Sequence, residues 1–467
     1  MYRTFTHLLL LACVCALTAC STLQGMLPAG KVPALAPTAW QAPLPQPGSV
    51  AELSKWWQQQ GDPLLLDLIE AAQKASPNVS QALQRIAQAR ANQAQANAAL
   101  FPGISAQASA GRGVNQVGVP SATTVQGGLM ASWELDLVGA NRAVSDAASA
   151  QVQSSQAQWH DARVSVAAEV ANLYFSWLHC QQLQALAAQD ADSQQETARL
   201  MDLSAGAGFV SAAQAGLARA TAADSRARLS QQTSQCEVNV KGLVALTATG
   251  EDGLRKQLQD AAKAPHHITS PAMARVPAET LTQRPDVFAA EKNVLVAAAA
   301  VGNAKAQRLP RLSLNGSIGA MRVSSGGIDQ DVSTWSFGPL AVSLPIYDAG
   351  QREAAQASAQ AAYQTAVLGY QATVRQAVRE VEEVLVQLQS LQAREQDAAL
   401  VLQSYNKALA ATQARLQQGL ASVVELQEAR RAAWAAQSSL LALELQHKLA
   451  WVTLYRALGG GFEPSKP

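Results

Sequence analysis

From Val125 to Leu137 every second residue is apolar or glycine, with Gln126, Ser132, Glu134 and Asp136 in between. That two-residue period predicts a strand over about 125–137 with one apolar face. After Gly139 the rhythm changes to alanine, glutamine and serine without β-branched runs, a helix composition that continues to Gly206. A second alternation, Leu312, Leu314, Gly316, Ile318 and Ala320 against Ser313, Asn315 and Ser317, predicts a strand over about 311–321. A third, Leu340, Val342, Leu344 and Ile346, runs through Pro345 into Tyr347 and predicts one over about 334–347. Ile104, Ala106, Ala108 and Ala110 give a weaker strand over about 104–113. Any one of these alone reads as an ordinary half-buried strand. Four together, each near the ~9–11 residues that a tilted membrane strand needs, point to membrane crossing by strands.

The plan is written twice. Residues 76–111 align without gaps with 284–319, so that Pro77, Val79, Ala96, Pro102 and Gly111 fall on Pro285, Val287, Ala304, Pro310 and Gly319. Farther on, Gly208-Phe209-Val210-Ser211 falls on Gly419-Leu420-Ala421-Ser422. Each half reads helix, two strands, very long helix, glycine break, shorter helix. The first repeat spans 61–250, with a long helix over about 141–206 and a return helix over about 211–247. A linker follows at 251–283. The second repeat spans 284–458, with helices over about 350–418 and 422–458, and 459–467 form a tail. At ~1.5 Å per residue the long helices extend on the order of 100 Å. In each half one long helix is matched by two shorter ones stacked end to end.

These elements predict an α+β membrane protein. Four strands do not close a barrel, because single-chain barrels need ~8 or more and an open edge in lipid leaves backbone groups unpaired. Oligomerisation follows. Three copies give a twelve-stranded transmembrane barrel continuous with a long helical barrel, although spacing alone also permits two or four copies. A barrel continuous with a tube is a conduit.

The first residues refine the location. Arg3 precedes an apolar stretch from Leu8 to Leu17, too short for a bilayer span, so 1–19 read as a signal peptide. Leu17-Thr18-Ala19-Cys20 resembles the bacterial lipobox, which implies a covalent lipid on Cys20 and makes 20–60 a lipidated, extended N-terminal segment. Ser21 after that cysteine implies sorting to the outer membrane. With a net charge of +1, 15% charged residues and no basic run, the chain has no field suited to nucleic acid. No later stretch offers eighteen consecutive apolar residues, so no membrane helix is expected.

Little supports chemistry. His160 and His179 are far apart, His266-His267 fall in the linker, and no acid or cysteine stands beside them at metal-ligand spacing. Gly111-Arg112-Gly113 and Gly206-Ala207-Gly208 lack the preceding buried strand and third glycine of a nucleotide loop. No enzyme activity, metal or cofactor is expected. Cys180 and Cys236 lie symmetrically about Gly208, so antiparallel helices reversing there bring them level, and an oxidising periplasm makes them disulfide candidates. The alternative is a pair of small buried thiols. Gly206, Gly208 and Gly419 mark the reversals, where Ser211 and Ser422 suit N-caps.

The stretch RPDVFAAEKNVLVAAAAVGNAKAQRLPRLSLNG, residues 284–316, resembles the outer membrane efflux proteins, the TolC-like channels. The lipobox places the chain nearest their lipoprotein branch, which serves resistance-nodulation-division pumps. The resemblance runs from about Trp56 to Leu458 and includes the duplication. It implies a homotrimer, a periplasmic adaptor protein, an inner-membrane transporter of that type, and passive export of drugs or other small toxic compounds. A duct for type I protein secretion is the alternative; an envelope-spanning structural coiled coil, needing no strands, is a more distant one. Residue by residue, Gly208, Ser211, Gly419 and Ser422 fall at adaptor-contact tips. Glu428 and Arg431 match an acid–arginine gate motif, and Val424 an apolar constriction one turn earlier. Against this stands a plain i,i+3 ion pair on a wet helix, worth ~0.2–0.5 kcal/mol.

Overall fold

The computed structural model describes residues 40–42, 55–114, 121–263, 281 and 284–463. In chain order the elements are α1 (Trp56–Gln59), α2 (Pro63–Ala75), α3 (Pro77–Ala98), β1 (Gly103–Gly113), β2 (Ala122–Leu135), α4 (Ala140–Gly206), α5 (Ala212–Thr247), α6 (Glu251–Ala261), α7 (Pro285–Ala306), β3 (Arg311–Ser325), β4 (Ile328–Ser343), α8 (Gln351–Gln417) and α9 (Val423–Ala457). Two compact units divide them. One holds residues 83–156 and 288–373 with the sheet; the other holds 35–82, 157–287 and 374–467.

In the first unit the four strands form one antiparallel sheet in sequence order, β1-β2-β3-β4. β3 and β4 are longer than their alternation predicts and meet at Gly326-Gly327, both with positive φ. A two-residue turn of that kind favours glycine at both positions. The sequence pattern broke off at Arg322, Asp329 and Asp331, yet these residues stay in the ladder, and Arg322 grips Asp331 across it with two hydrogen bonds of 2.7 and 2.8 Å. At the other end β4 stops at Ser343, so Leu344, Pro345 and Ile346, expected in the strand, lie beyond it. Proline lacks the donor that a ladder requires.

Both long helices begin after a glycine with positive φ, Gly139 and Gly350, and both run for 67 residues. Two segments differ from expectation. Residues 251–261, read as linker, form α6. Glu251 and Asp252 sit in its first turn, where negative charge suits the helix dipole, and Leu254 and Leu258 bury one stripe. The end of the segment read as extended holds α1, whose Trp56 and Trp57 are buried.

In the second unit lies a large apolar cluster, which includes Trp56, Leu65, Tyr174, Leu243, Leu258 and Leu454. Trp56 stacks on Tyr455 at 4.8 Å between ring centroids, and the Tyr174 hydroxyl donates to Asp62 at 2.7 Å. Each fully buried leucine contributes about 1.5–3 kcal/mol. Backbone amides of Gln41 and Ala42 donate to the Glu382 carboxylate at 2.7 and 2.9 Å, which fixes this N-terminal piece to α8.

Beside the cluster Arg284 is buried, donating to Asp286, to Glu380 at 2.9 Å and to the Ala457 carbonyl at 2.7 Å. Removing Arg284 leaves the Asp286 and Glu380 carboxylates without their cation and the Ala457 carbonyl without its donor. Arg284→Leu is therefore expected to lower the melting temperature at pH 7.5, and a variant as stable as wild type would contradict this.

Candidate functional site: a two-faced sheet and two helix-hairpin tips

The sheet separates its faces cleanly. Pairing sets Ile104 and Ala106 of β1 beside Ala131 and Leu129 of β2, Leu129 beside Ile318 of β3, and Ile318 beside Trp335 of β4. Trp335 and Phe337 on this face are 80% and 82% exposed, an arrangement suited to lipid and not to water. The opposite face carries Gln107, Gln126, Met130, Ser317 and Thr334, around a hollow of about 460 Å³. The Ser317 and Ser336 hydroxyls meet there at 2.8 Å. Gly128 pairs with Gly319 at its centre, and a Cβ on either would come within 2.7 Å of a neighbouring backbone oxygen. Glycine is what lets β2 and β3 approach there. Between Leu314 and Gly316 the pairing of β3 with β4 shifts register at a bulge. On the apolar face the Arg322–Asp331 pair marks where charge resumes toward the Gly326-Gly327 turn. Trp133 donates its indole N–H to the Leu100 carbonyl at 3.1 Å near the other end.

Each hairpin tip is built the same way. α4 ends with Phe209 donating to the Ser204 carbonyl at 2.9 Å and Gly208 to Ala205 at 3.1 Å; α8 ends with Leu420 donating to Arg415 at 2.8 Å and Gly419 to Leu416 at 2.9 Å. The left-handed glycine and this paired bonding satisfy the last carbonyls. Ser211 caps α5 and Ser422 caps α9, each with a reciprocal capping box, to Gln214 and to Glu425. The Ser422 backbone N–H, followed by its hydroxyl, holds the Glu425 carboxyl below its ordinary range. Phe209 and Leu420 at the turns are 84% and 63% exposed.

The remaining sequence candidates fall as follows. Val424, Glu428 and Arg431 are all exposed on α9, and among the described residues no ion pair joins Glu428 to Arg431. Their neighbours Gln427 and Arg430, which sequence reading passed over, reach α4: Gln427 Nε2 donates to the buried Thr197 hydroxyl at 2.5 Å, and Arg430 donates to Ser193. These partners lie more than 200 residues apart, so no local signal reveals them. Cys180 and Cys236 are bonded, with Cα atoms 5.5 Å apart. The link sits beside Leu178 and Val240, where the large apolar cluster ends on α4 and α5. Cys20 and His266-His267 lie outside the described residues. Among the described residues no group of three or more His, Cys, Asp or Glu side chains forms a metal site, and no helix is long and apolar enough to cross a membrane.

The family model for outer membrane efflux proteins matches residues 68–249 and 276–460, both halves of the chain. The chain belongs to the outer membrane efflux protein family. Outer membrane protein OprJ of Pseudomonas aeruginosa is 29% identical over 87% of this chain and 86% of its own length. The antibiotic efflux pump outer membrane protein ArpC of Pseudomonas putida is 28% identical over 92% and 88%. The crystal structure of a membrane protein from Pseudomonas aeruginosa matches with a TM-score of 0.82 at 27% identity, covering 93% of this chain and all of that one. This efflux protein therefore serves in the outer membrane as the exit duct of an efflux pump, and its family is one of transport conduits.

A disulfide closing this hairpin stabilises it by about 2–4 kcal/mol. Without reductant the efflux protein is expected to migrate differently on denaturing gels, and Cys236→Ser to abolish the difference and lower the melting temperature. Identical mobility with and without reductant would contradict the bond.

Proposed function

We propose that three copies of the chain close a twelve-stranded barrel in the outer membrane, and that their helices form a periplasmic tunnel through which drugs or other small toxic compounds leave. Each chain supplies four strands, built from two rounds of one helix, hairpin, long-helix plan. The duct works passively. A periplasmic adaptor protein and an inner-membrane transporter of the resistance-nodulation-division type deliver the compounds, and a lipid on Cys20 anchors each N-terminus in the outer membrane.

One observation carries this reading: a sheet apolar along one face of all four strands, with polar side chains on the other and unpaired edges at β1 and β4. In lipid such a sheet must pair its edges with other copies. Twelve strands make a barrel wider than the eight-stranded kind that side chains fill, leaving an open lumen. The polar face then lines that lumen.

Gly208, Ser211, Gly419 and Ser422 set the tips that meet the adaptor, and the exposed Phe209 and Leu420 offer it apolar contact. Val424, Glu428 and Arg431 form the gate. Since Glu428 and Arg431 are unpaired with one another in the single chain, the pair is made between protomers, where three weak links break together without unfolding a helix.

The test is single-channel conductance of the purified oligomer in planar bilayers, comparing wild type with the double variant Glu428→Ala, Arg431→Ala. Wild type is expected to show small, gated conductance that rises in the variant. Unchanged conductance would remove these two residues from the gate, and a folded oligomer that never conducts would overturn the duct.

A further inference from the structure

Pairing register assigns each paired residue of the sheet to one of its two faces. From the Gly326-Gly327 turn to Ser132 and its partner Asn315, the polar face of the described strands is uncharged, made of serine, glutamine, threonine, methionine and glycine with a few aliphatic residues. Charge begins one rung farther on. Glu134 of β2 pairs with Ser313 of β3, and Arg311, two residues away on β3, pairs with Ser343 of β4. Alternation therefore puts both charges on the polar face, as diagonal neighbours about 7–8 Å apart. Both residues are exposed.

This rung lies where the sheet gives way to helices. A hollow of about 190 Å³ opens there, lined by Glu134 and Arg311 of the strands, Asn141 at the start of α4, and Asn303 and Gln307 at the end of α7. The next charges along the chain are engaged locally. Asp136 accepts from the Arg142 backbone N–H at 2.8 Å, and Arg308 donates to Gln356 of α8 at 2.8 Å. Glu134 and Arg311 are thus the charges that this end of the polar face offers to whatever passes it. In a barrel, lumen-facing positions are the ones that tune selectivity.

We propose that Glu134 and Arg311 set the charge selectivity of the barrel, as two rings of opposite sign stacked at the periplasmic end of its lumen. This rests on the trimeric duct proposed above. Each ring holds three copies of one charge, and the uncharged wall beyond adds no sign of its own. A cation is drawn to the Glu134 ring and held back at the Arg311 ring; an anion meets the reverse. The rings lie closer together than the screening length of ~10 Å at 0.1 M salt, so their fields oppose and the wild-type barrel discriminates little between signs. Solutes of either charge pass it.

The experiment reads reversal potentials of the purified oligomer in planar bilayers, under a KCl gradient whose dilute side is about 0.1 M. Glu134→Gln leaves the cationic ring and is expected to lower the potassium-to-chloride permeability ratio at least about threefold, whereas Arg311→Gln leaves the anionic ring and raises it by a similar factor. Loss of packing has no reason to move the two variants in contrary directions. Should either fail to assemble, Ser313→Cys sets a thiol on the same rung. A cationic or an anionic methanethiosulfonate, added after reconstitution, then charges the folded channel, and the ratio is expected to fall or to rise respectively. A ratio unchanged in either variant, or shifted in the same direction in both, would overturn the assignment. A folded oligomer that never conducts would refute the duct itself, an outcome separate from any change in ratio.

Discussion

The edge backbone of β1 and β4 pairs on one side only, and in hydrocarbon each unpaired N–H or C=O costs several kcal/mol. One face of the same sheet is apolar along all four strands, so water is no better a home for it. Neither solvent suits the sheet of a single chain. The same sheet has a glycine pair, Gly128 and Gly319, that lets neighbouring strands approach, a bulge at Leu314/Gly316, and a second face of serine, glutamine and threonine. The proposed closure with other copies would pair the edges and turn the apolar face to lipid and the polar face to water.

The helices meet a different demand. They must be long, and a long conduit cannot have one compact core. Large apolar side chains are concentrated in one cluster, with Trp56, Tyr174, Leu243 and Leu454 among its members. Toward the tips alanine and small polar residues replace them, and cohesion passes to a disulfide, two capping boxes and the contacts of Gln427 and Arg430. Apolar packing is thus densest at the cluster and sparse toward the tips.

Most of the architecture was legible because its signals are local. Alternation gave four strands, and glycines at 139, 208, 350 and 419 bounded the long helices to within a residue or two. What escaped was tertiary. The β3–β4 hairpin outruns its hydrophobic pattern because Arg322 and Asp331 satisfy each other across the ladder. α6 was hidden because eleven residues with two buried leucines resemble a linker until a partner surface covers them. At the tips, Ser211 and Ser422 were readable as caps from their place after glycine. Gln427, adjacent to the more conspicuous Glu428, was not, since its meaning depends on Thr197 lying opposite on another helix.

The central claim is that one chain cannot occupy the outer membrane alone. Counting protomers per lipid particle, by mass photometry of the protein reconstituted into nanodiscs, addresses it directly. Three copies per particle are expected. A stable particle holding a single protomer with its strands inserted would contradict the account, because the edges of β1 and β4 would then lie unpaired in lipid.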